Sequence, residues 1–224
     1  MGGVDNTDGM TGMLEYRYFA AVVVFTLFLV YAYYRGQRTN LRKIRETAAS
    51  LENALGPTDK RYTWLGGVVG FSAEFSVEGF EEVRAVLTLV PRQSLLYMPI
   101  VLLRRTGDRL QLLFFLKEKP AAELHVIPKG RRLPHIHNMA GLERTVQRHG
   151  GLDVVLLHEG DPSGASRIAA ALAGLLPSVR QISITPERSV FYVELLVTKL
   201  SAGRLEGFLR SLLDVIRSGG RAEQ

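Results

Sequence analysis

The chain has 224 residues, with 28 Lys and Arg against 22 Asp and Glu and a net charge of +6. It contains no cysteine, which excludes disulfides, thiolate metal sites and cysteine nucleophiles and suits a domain in a reducing compartment. The modest positive charge is compatible with phospholipid headgroups or RNA as partners and does not choose between them.

The first element in chain order is an uncharged apolar stretch from Tyr18 to Tyr34, followed by Arg35, Arg38, Arg42, Lys43 and Arg45. As a helix, about 17 to 19 residues at about 1.5 Å each reach roughly 26 to 28 Å, close to the ~30 Å hydrocarbon core of a bilayer. Tyr16, Tyr18 and Phe19 mark one end and Tyr31, Tyr33 and Tyr34 the other, where amphipathic rings prefer to sit. A cleaved signal peptide would need a basic leader and a small-residue cleavage site; the leader carries Asp5, Asp8 and Glu15 against Arg17, and tyrosines occupy the cleavage region. A single uncleaved anchor is therefore expected, residues 17–35. The basic flank places residues 1–16 outside and the remainder in the cytosol, at the cell membrane or, in a eukaryote, the endoplasmic reticulum. Arg35, Arg38, Arg42, Lys43 and Arg45 are the candidate contacts to membrane lipid.

Residues 36–57 form the second segment, a basic juxtamembrane helix. Leu41, Ile44, Ala48, Leu51 and Leu55 recur at steps of three and four and give one apolar stripe. Packing of that stripe on the chain's own domain is the expected role, because a coiled coil needs about three or four heptads. Gly56 and Pro57 end the helix.

Residues 58–217 have the size of one domain with a real core, and the pattern predicts an α+β fold with a mainly antiparallel sheet and packed helices. Val69, Phe71, Ala73, Phe75 and Val77 alternate with small or polar residues. Val83 to Val90 and Ile100 to Leu103 read as further strands, with a helical turn possible over 92–98. Leu110 to Leu116 reads as the next strand, joined to the preceding run by a hairpin turn at Thr106, Gly107 and Asp108. Leu124 to Ile127 closes this meander. A helix is expected from Met139 to Arg148 and a strand from Val154 to His158. Asp161 and Pro162 suit the start of a helix that buries Ile168, Leu172, Leu175 and Leu176. Gln181 to Thr185 and Val190 to Val197 read as a hairpin across Pro186 to Ser189, and Ser201 opens a last helix with Leu205, Phe208, Leu209, Leu212 and Ile216 as its stripe. Residues 218–224 are expected to be a disordered tail.

The tests for chemistry yield no catalytic residue, no metal site and no cofactor. Gly160 to Arg167 lacks the Gly-Lys-Ser/Thr ending of a phosphate-binding loop, and a loop-to-helix turn explains it. His135 and His137, with His125 and His149, have no acidic partner at ligand spacing. Glu74, Glu78, Glu81 and Glu82 fit strand alternation and a solvated turn. The stronger signal is basic: Lys129, Arg131 and Arg132 in one loop, with Arg104, Arg105, Lys117 and Lys119 on neighbouring hairpin ends. Were those ends to share one edge of the sheet, they would form a patch for phosphates on lipid or RNA. Solubilising charges on turns fit the same residues, and no aromatics interleave with them to stack single-stranded bases.

The anchor followed by RGQRTNLRKIRETAASLENAL, a strand from Trp64 to Val69, and the closing series LPSVRQISITPERSVFYVELLVTKLSAGRLEGFLRSLLDVI together make the chain resemble the calumin family, coiled-coil domain-containing protein 47. Members of that family are single-pass membrane partners of the protein-conducting channel. The chain lacks the family's long acidic segment and its coiled-coil tail. The resemblance implies a non-enzymatic, membrane-tethered adaptor in multipass membrane-protein insertion, associated with the translocon or an Oxa1-type insertase near the ribosome. The alternative is a membrane-anchored sensor or small-ligand-binding module. The sequence leaves the oligomeric state open.

Overall fold

A computed structural model describes residues 7–104, 107–130 and 141–219. The two helical segments expected near the N-terminus are one uninterrupted helix of 49 residues, α1, Thr7–Leu55. No proline interrupts it, and the single glycine past residue 13, Gly36, weakens a helix by only about 1 kcal/mol. It ends as its sequence requires: Gly56 is left-handed at φ 54° and donates its N–H to the Glu52 carbonyl at 3.0 Å. From Tyr16 to Arg35 α1 is exposed except for the half-buried Ala20, Leu29 and Ala32. It contains an 18-residue window of mean hydropathy 1.6, 6 % buried, which makes α1 long and apolar enough to cross a membrane by length and composition. In the second half Ile44, Leu51 and Leu55 are buried and Ala48 packs against them, so the stripe covers the chain's own core as expected.

The other elements are β1 Asp59–Trp64, β2 Gly70–Ser76, β3 Phe80–Thr88, α2 Met98–Arg104, β4 Arg109–Leu116, β5 Leu124–Pro128, β6 Glu143–His149, β7 Leu152–His158, α3 Ser163–Ala171, β8 Val179–Thr185, β9 Val190–Leu196 and α4 Ala202–Gly219. The nine strands among the described residues join one sheet in the order β1-β2-β3-β4-β9-β8-β5-β7-β6, and each of their pairings is antiparallel. The fold is thus α+β, with a long apolar helix and a large antiparallel sheet. The inward residues of the strands meet α1, α3 and α4 in one core that includes Phe71, Phe114, Leu156, Leu172, Phe191 and Phe208. The opposite face of β5 and β7 holds a smaller cluster, Ile127, Val155 and Leu157, against Leu142. Both faces of β7 are therefore covered, which is why its sequence reads as a continuous apolar run rather than an alternation.

Register defines two ends of the sheet. Gly70, Thr88, Arg109 and Leu196 lie in one row across β2, β3, β4 and β9, with Val179 of β8 beside them. Phe80, Leu116, Val190 and Thr185 lie at the other end. Helix α1 runs between the two: Asn40 reaches Val68 and Val90 at the first end, and Glu52 reaches Lys60 and Tyr62 toward the second. The first end is therefore the one from which the apolar half of α1 emerges.

Several expectations are corrected. Residues 100–103 belong to α2, not to a strand; the run lacks alternation, and Pro99 sits in the first helical turn, where a missing N–H costs nothing. Gly107 and Asp108 consequently make no hairpin, because β4 pairs with β3 and β9. Strand β5 lies between β8 and β7 rather than at the end of a meander. The expected helix at 139–148 is strand β6 from Glu143 onward, with residues 139 and 140 outside the described residues. Gly150 at φ 55° and Gly151 at φ 80° form the two-residue loop of a β6–β7 hairpin. Only Trp64 of the stretch 64–69 is in a strand; Gly66 and Gly67 have positive φ and turn the chain between β1 and β2. Helix α3 starts one residue later than expected, with Asp161 Oδ1 accepting the Ser163 N–H at 3.0 Å. Helix α4 takes in residues 218 and 219 of the expected tail, and 220–224 lie outside the described residues.

Candidate functional site

The distinctive chemistry of the described residues lies where α1 leaves the sheet. Asp108, which immediately precedes β4, is fully buried and takes hydrogen bonds on both carboxylate oxygens. Arg92 donates to Oδ1 and Oδ2 at 2.9 and 2.8 Å, Lys43 of α1 to Oδ2 at 2.7 Å, and the Val90 N–H to Oδ1 at 3.0 Å. Asn40, one turn before Lys43 and also fully buried, uses every polar atom of its side chain. Its Nδ2 donates to the Val68 and Val90 carbonyls at 3.0 and 2.9 Å, and its Oδ1 accepts from Arg92 at 2.9 Å. One helix turn earlier, Gly36 lies so close to the β3–β4 connection that a Cβ there would stand 2.4 Å from the Arg92 carbonyl oxygen. Gly36, Asn40 and Lys43 thus bind α1 to two loops of the sheet. A buried carboxylate held by two cations and an amide N–H is costly to disrupt, because removing one partner strands the others.

The electrostatics agree with this geometry. Burial pushes the Asp108 carboxyl up, but the hydrogen bonds from Arg92, Lys43 and Val90 outweigh burial and hold it below the usual carboxylate range. Since the folded pKa is the lower one, the cluster contributes fully above the unfolded value of about 3.9 and loses its contribution as pH falls through the folded value. Acid titration of full-length protein in detergent is expected to show a stability loss below about pH 4 that Asp108→Asn removes. At the other end, Lys60 and Tyr62 donate to Glu52 at 2.6 and 2.8 Å, and these bonds lower its pKa against burial.

The candidate membrane-surface residues divide. On a helix of 3.6 residues per turn, Arg35, Arg38, Arg42 and Arg45 fall on the side opposite the buried stripe, and all four are exposed. Lys43 faces the sheet and is committed to Asp108. Arg35 donates to the Tyr31 hydroxyl at 3.1 Å, and Arg42 pairs loosely with Glu46 at 3.8 Å.

Of the basic residues expected on hairpin ends, those that are described do not all share one edge of the sheet. Lys129 follows β5 toward the end from which α1 emerges, whereas Lys117 and Lys119 follow β4 at the opposite end. Arg104 closes α2 in the connection that returns to the sheet at β4, and β9 and β8 intervene between β4 and β5, a separation of about 14 Å at roughly 4.8 Å per strand. Lys129 itself pairs with Asp153 at 3.0 Å. Arg105, Arg131 and Arg132 lie outside the described residues, as do His135 and His137.

His125 is the described histidine with the most suggestive partners: Nδ1 contacts Ser183 Oγ at 2.8 Å and Nε2 contacts Glu123 Oε1 at 2.9 Å. Burial lowers its pKa against the opposing pull of Glu123; since the Glu123 carboxylate can only accept, Nε2 donates to it, and in the neutral ring Nδ1 accepts from the Ser183 hydroxyl. Both His125 and Ser183 are 3 to 4 % exposed. A nucleophile must reach a substrate carbonyl, and at that burial the group ties β5 to β8. Among the described residues no cluster of three or more His, Asp or Glu is placed to hold a metal ion. The cleft between α1 and α4, lined by Lys43, Thr47, Leu89 and Leu205 among others, has a volume of about 60 Å³, well below the roughly 300 Å³ at which ligand pockets begin.

Sequence reasoning missed the Asn40, Arg92 and Asp108 cluster. One signal was available: Asn40 falls in line with Ile44, Leu51 and Leu55, and a polar residue on an apolar stripe needs a partner. No protein-family model and no curated protein matches the chain.

Proposed function

We propose that the protein is a non-enzymatic, membrane-tethered adaptor whose single apolar helix both crosses the bilayer and carries the cytosolic domain at a set height and rotation. The observation that supports this reading is the continuity of α1 from its apolar half into the core, where Gly36, Asn40 and Lys43 bind it to the sheet. A helix without a hinge transmits position, and confinement near a membrane raises the effective concentration of any partner there. Arg35 and Arg38 stand about 2 and 6 Å beyond Tyr34 along the helix, within a headgroup layer of roughly 5 to 7 Å, while Arg42 and Arg45 at about 12 and 17 Å act only at a distance. Each near charge adds about 1 kcal/mol on an anionic surface.

The resemblance to the calumin family supplies the partner class: a translocon or Oxa1-type insertase, with Arg104, Arg105, Lys129, Arg131 and Arg132 as contacts to ribosomal RNA. Capture from membranes in mild detergent, followed by mass spectrometry at low and high salt, is expected to recover translocon or insertase subunits, with ribosomal proteins lost at high salt. Their absence under conditions that preserve translocon assemblies would favour the ligand-module reading. Because the chain has no cysteine, orientation is directly testable. In intact cells Thr7→Cys is expected to react with an impermeant maleimide and Glu187→Cys only after permeabilisation; the reverse pattern would place the domain outside.

A further inference from the structure

Outside α1, the large apolar side chains exposed among the described residues are Trp64, Leu65, Tyr97, Ile100, Leu103 and Val146. All but Val146 lie at the end of the sheet from which α1 emerges. Trp64 is the last residue of β1 and pairs with Phe71, beside Gly70, and the Leu65 N–H donates to the Gly70 carbonyl. Tyr97, Ile100 and Leu103 are on the connection that leaves β3 at Thr88 and returns at Arg109. Asn40 ties the two segments together through Val68 and Val90.

The height of the second segment follows from α1. Arg92 and Gln93 abut Gly36, and the 3-10 turn Leu95–Tyr97 packs on α1. Leu29 and Ala32 are half-buried and, at steps of three and four from Gly36 and Asn40, fall on the same face of α1. Gly36 is only about 3 Å beyond Tyr34 along the helix, and Leu29 lies about 8 Å on its other side. From Leu95 to Leu103 the sequence carries no charge.

We propose that this end of the domain docks into the headgroup–acyl boundary of the bilayer that α1 crosses, through Trp64 and Leu65 on one loop and Tyr97, Ile100 and Leu103 on the other. The proposal rests on the anchor reading and adds a second contact to it. Lipid is the occupant because of depth: the segment from Arg92 to Tyr97 is level with the last turn of a membrane-spanning stretch and meets the interface without any partner having to be recruited, and the Trp64–Leu65 loop is tied to that segment through Asn40. The residue types agree, since Trp and Tyr favour that layer and a partly exposed apolar face commonly lies about 5 to 10 Å deep in it. Helix α1 fixes the domain relative to itself, but a lone helix can still spin about its own axis and tilt within the bilayer. Apolar projections on two loops remove both freedoms, so the same face of the sheet is always presented.

Trp64 is the sole tryptophan and reports on the proposal directly. The full chain is reconstituted in vesicles of phosphatidylcholine with phosphatidylglycerol, and quenching is compared between lipid brominated high on the acyl chain and lipid brominated near its end. Three proteins are read: wild type, Trp64→Phe with Leu103→Trp, and Trp64→Phe with Phe25→Trp, the last reporting on the span alone. Docking predicts short-wavelength emission from Trp64 and from tryptophan at 103, with both quenched more by the shallow bromines, while tryptophan at 25 is quenched by the deep ones. Quenching at 25 with water-like, unquenched emission at 64 and 103 would overturn the docking and leave the anchor standing. Short-wavelength emission at 64 and 103 without lipid quenching would overturn it in favour of a cover by protein, including a second copy of this chain. No quenching at 25 would remove the anchor and the proposal together.

Discussion

Asp108→Ala is expected to lower the unfolding free energy by about 3 kcal/mol, the low end of the range for breaking a buried ion pair. The substitution leaves Arg92 and Lys43 facing a cavity without a counter-charge and removes the acceptor of the Val90 N–H. The lower end applies because the Arg92 and Lys43 side chains keep 22 and 26 % of their surface in water, which softens their loss. Lys43→Met is expected to cost less, about 1.5 kcal/mol, the low end for a hydrogen bond to a charged group, since Arg92 still grips both carboxylate oxygens. Denaturant unfolding of the full chain in mild detergent measures both, and the double variant gives the coupling. An Asp108→Ala protein of wild-type stability would mean that α1 is not held at this point, which would also remove the physical basis for a rigid stalk.

Substitution at Gly36 is expected to have the next largest effect, and its sign is informative. In an exposed helix Gly→Ala stabilises by about 1 kcal/mol. Here the added Cβ would lie 2.4 Å from the Arg92 oxygen and 2.6 Å from the Gln93 nitrogen, both backbone atoms that cannot rotate away. Overpacking of this kind costs about 1 to 3 kcal/mol, so Gly36→Ala is expected to be net destabilising and Gly36→Leu to reach about 3 kcal/mol or to force α1 off the loop. Proteolysis of the 89–104 connection in reconstituted protein provides a second readout, with faster cleavage expected in Gly36→Leu. A stabilised Gly36→Ala would show that helix and loop stand apart.

The elements that could be read from sequence are those whose information is local. The apolar stretch of α1, its basic flank and its stop at Gly56 follow from hydropathy and backbone geometry. The β8–β9 hairpin and α4 follow from alternation and from the stripe of Leu205, Phe208, Leu209 and Leu212, all buried as expected. Strand β6 was misread as a helix although Gly150 and Gly151 carry a hairpin signal, because as an edge strand it alternates exposed residues with half-buried ones rather than polar with fully buried ones. The run at 100–103 was misread as a strand because a short apolar segment fits a strand and a buried helix equally well. Of the candidate residues, Arg35, Arg38, Arg42 and Arg45 face outward together, since helical spacing alone decides that. The same spacing sets Lys43 beside the buried stripe, but its partner is 65 positions away.

Length, hydropathy and period were enough to establish one apolar helix, its continuation as an amphipathic one, and an α+β domain of mostly antiparallel strands, because each depends on residues within a few turns or one strand of each other. Strand order, the separation of Lys117 and Lys119 from Lys129, and the burial of Asp108 between Arg92 and Lys43 were decided by the tertiary structure. Those features join residues 16 to 65 positions apart or depend on which strands become neighbours. No local pattern records them, because the free energy that selects them arises only when the distant groups leave water together.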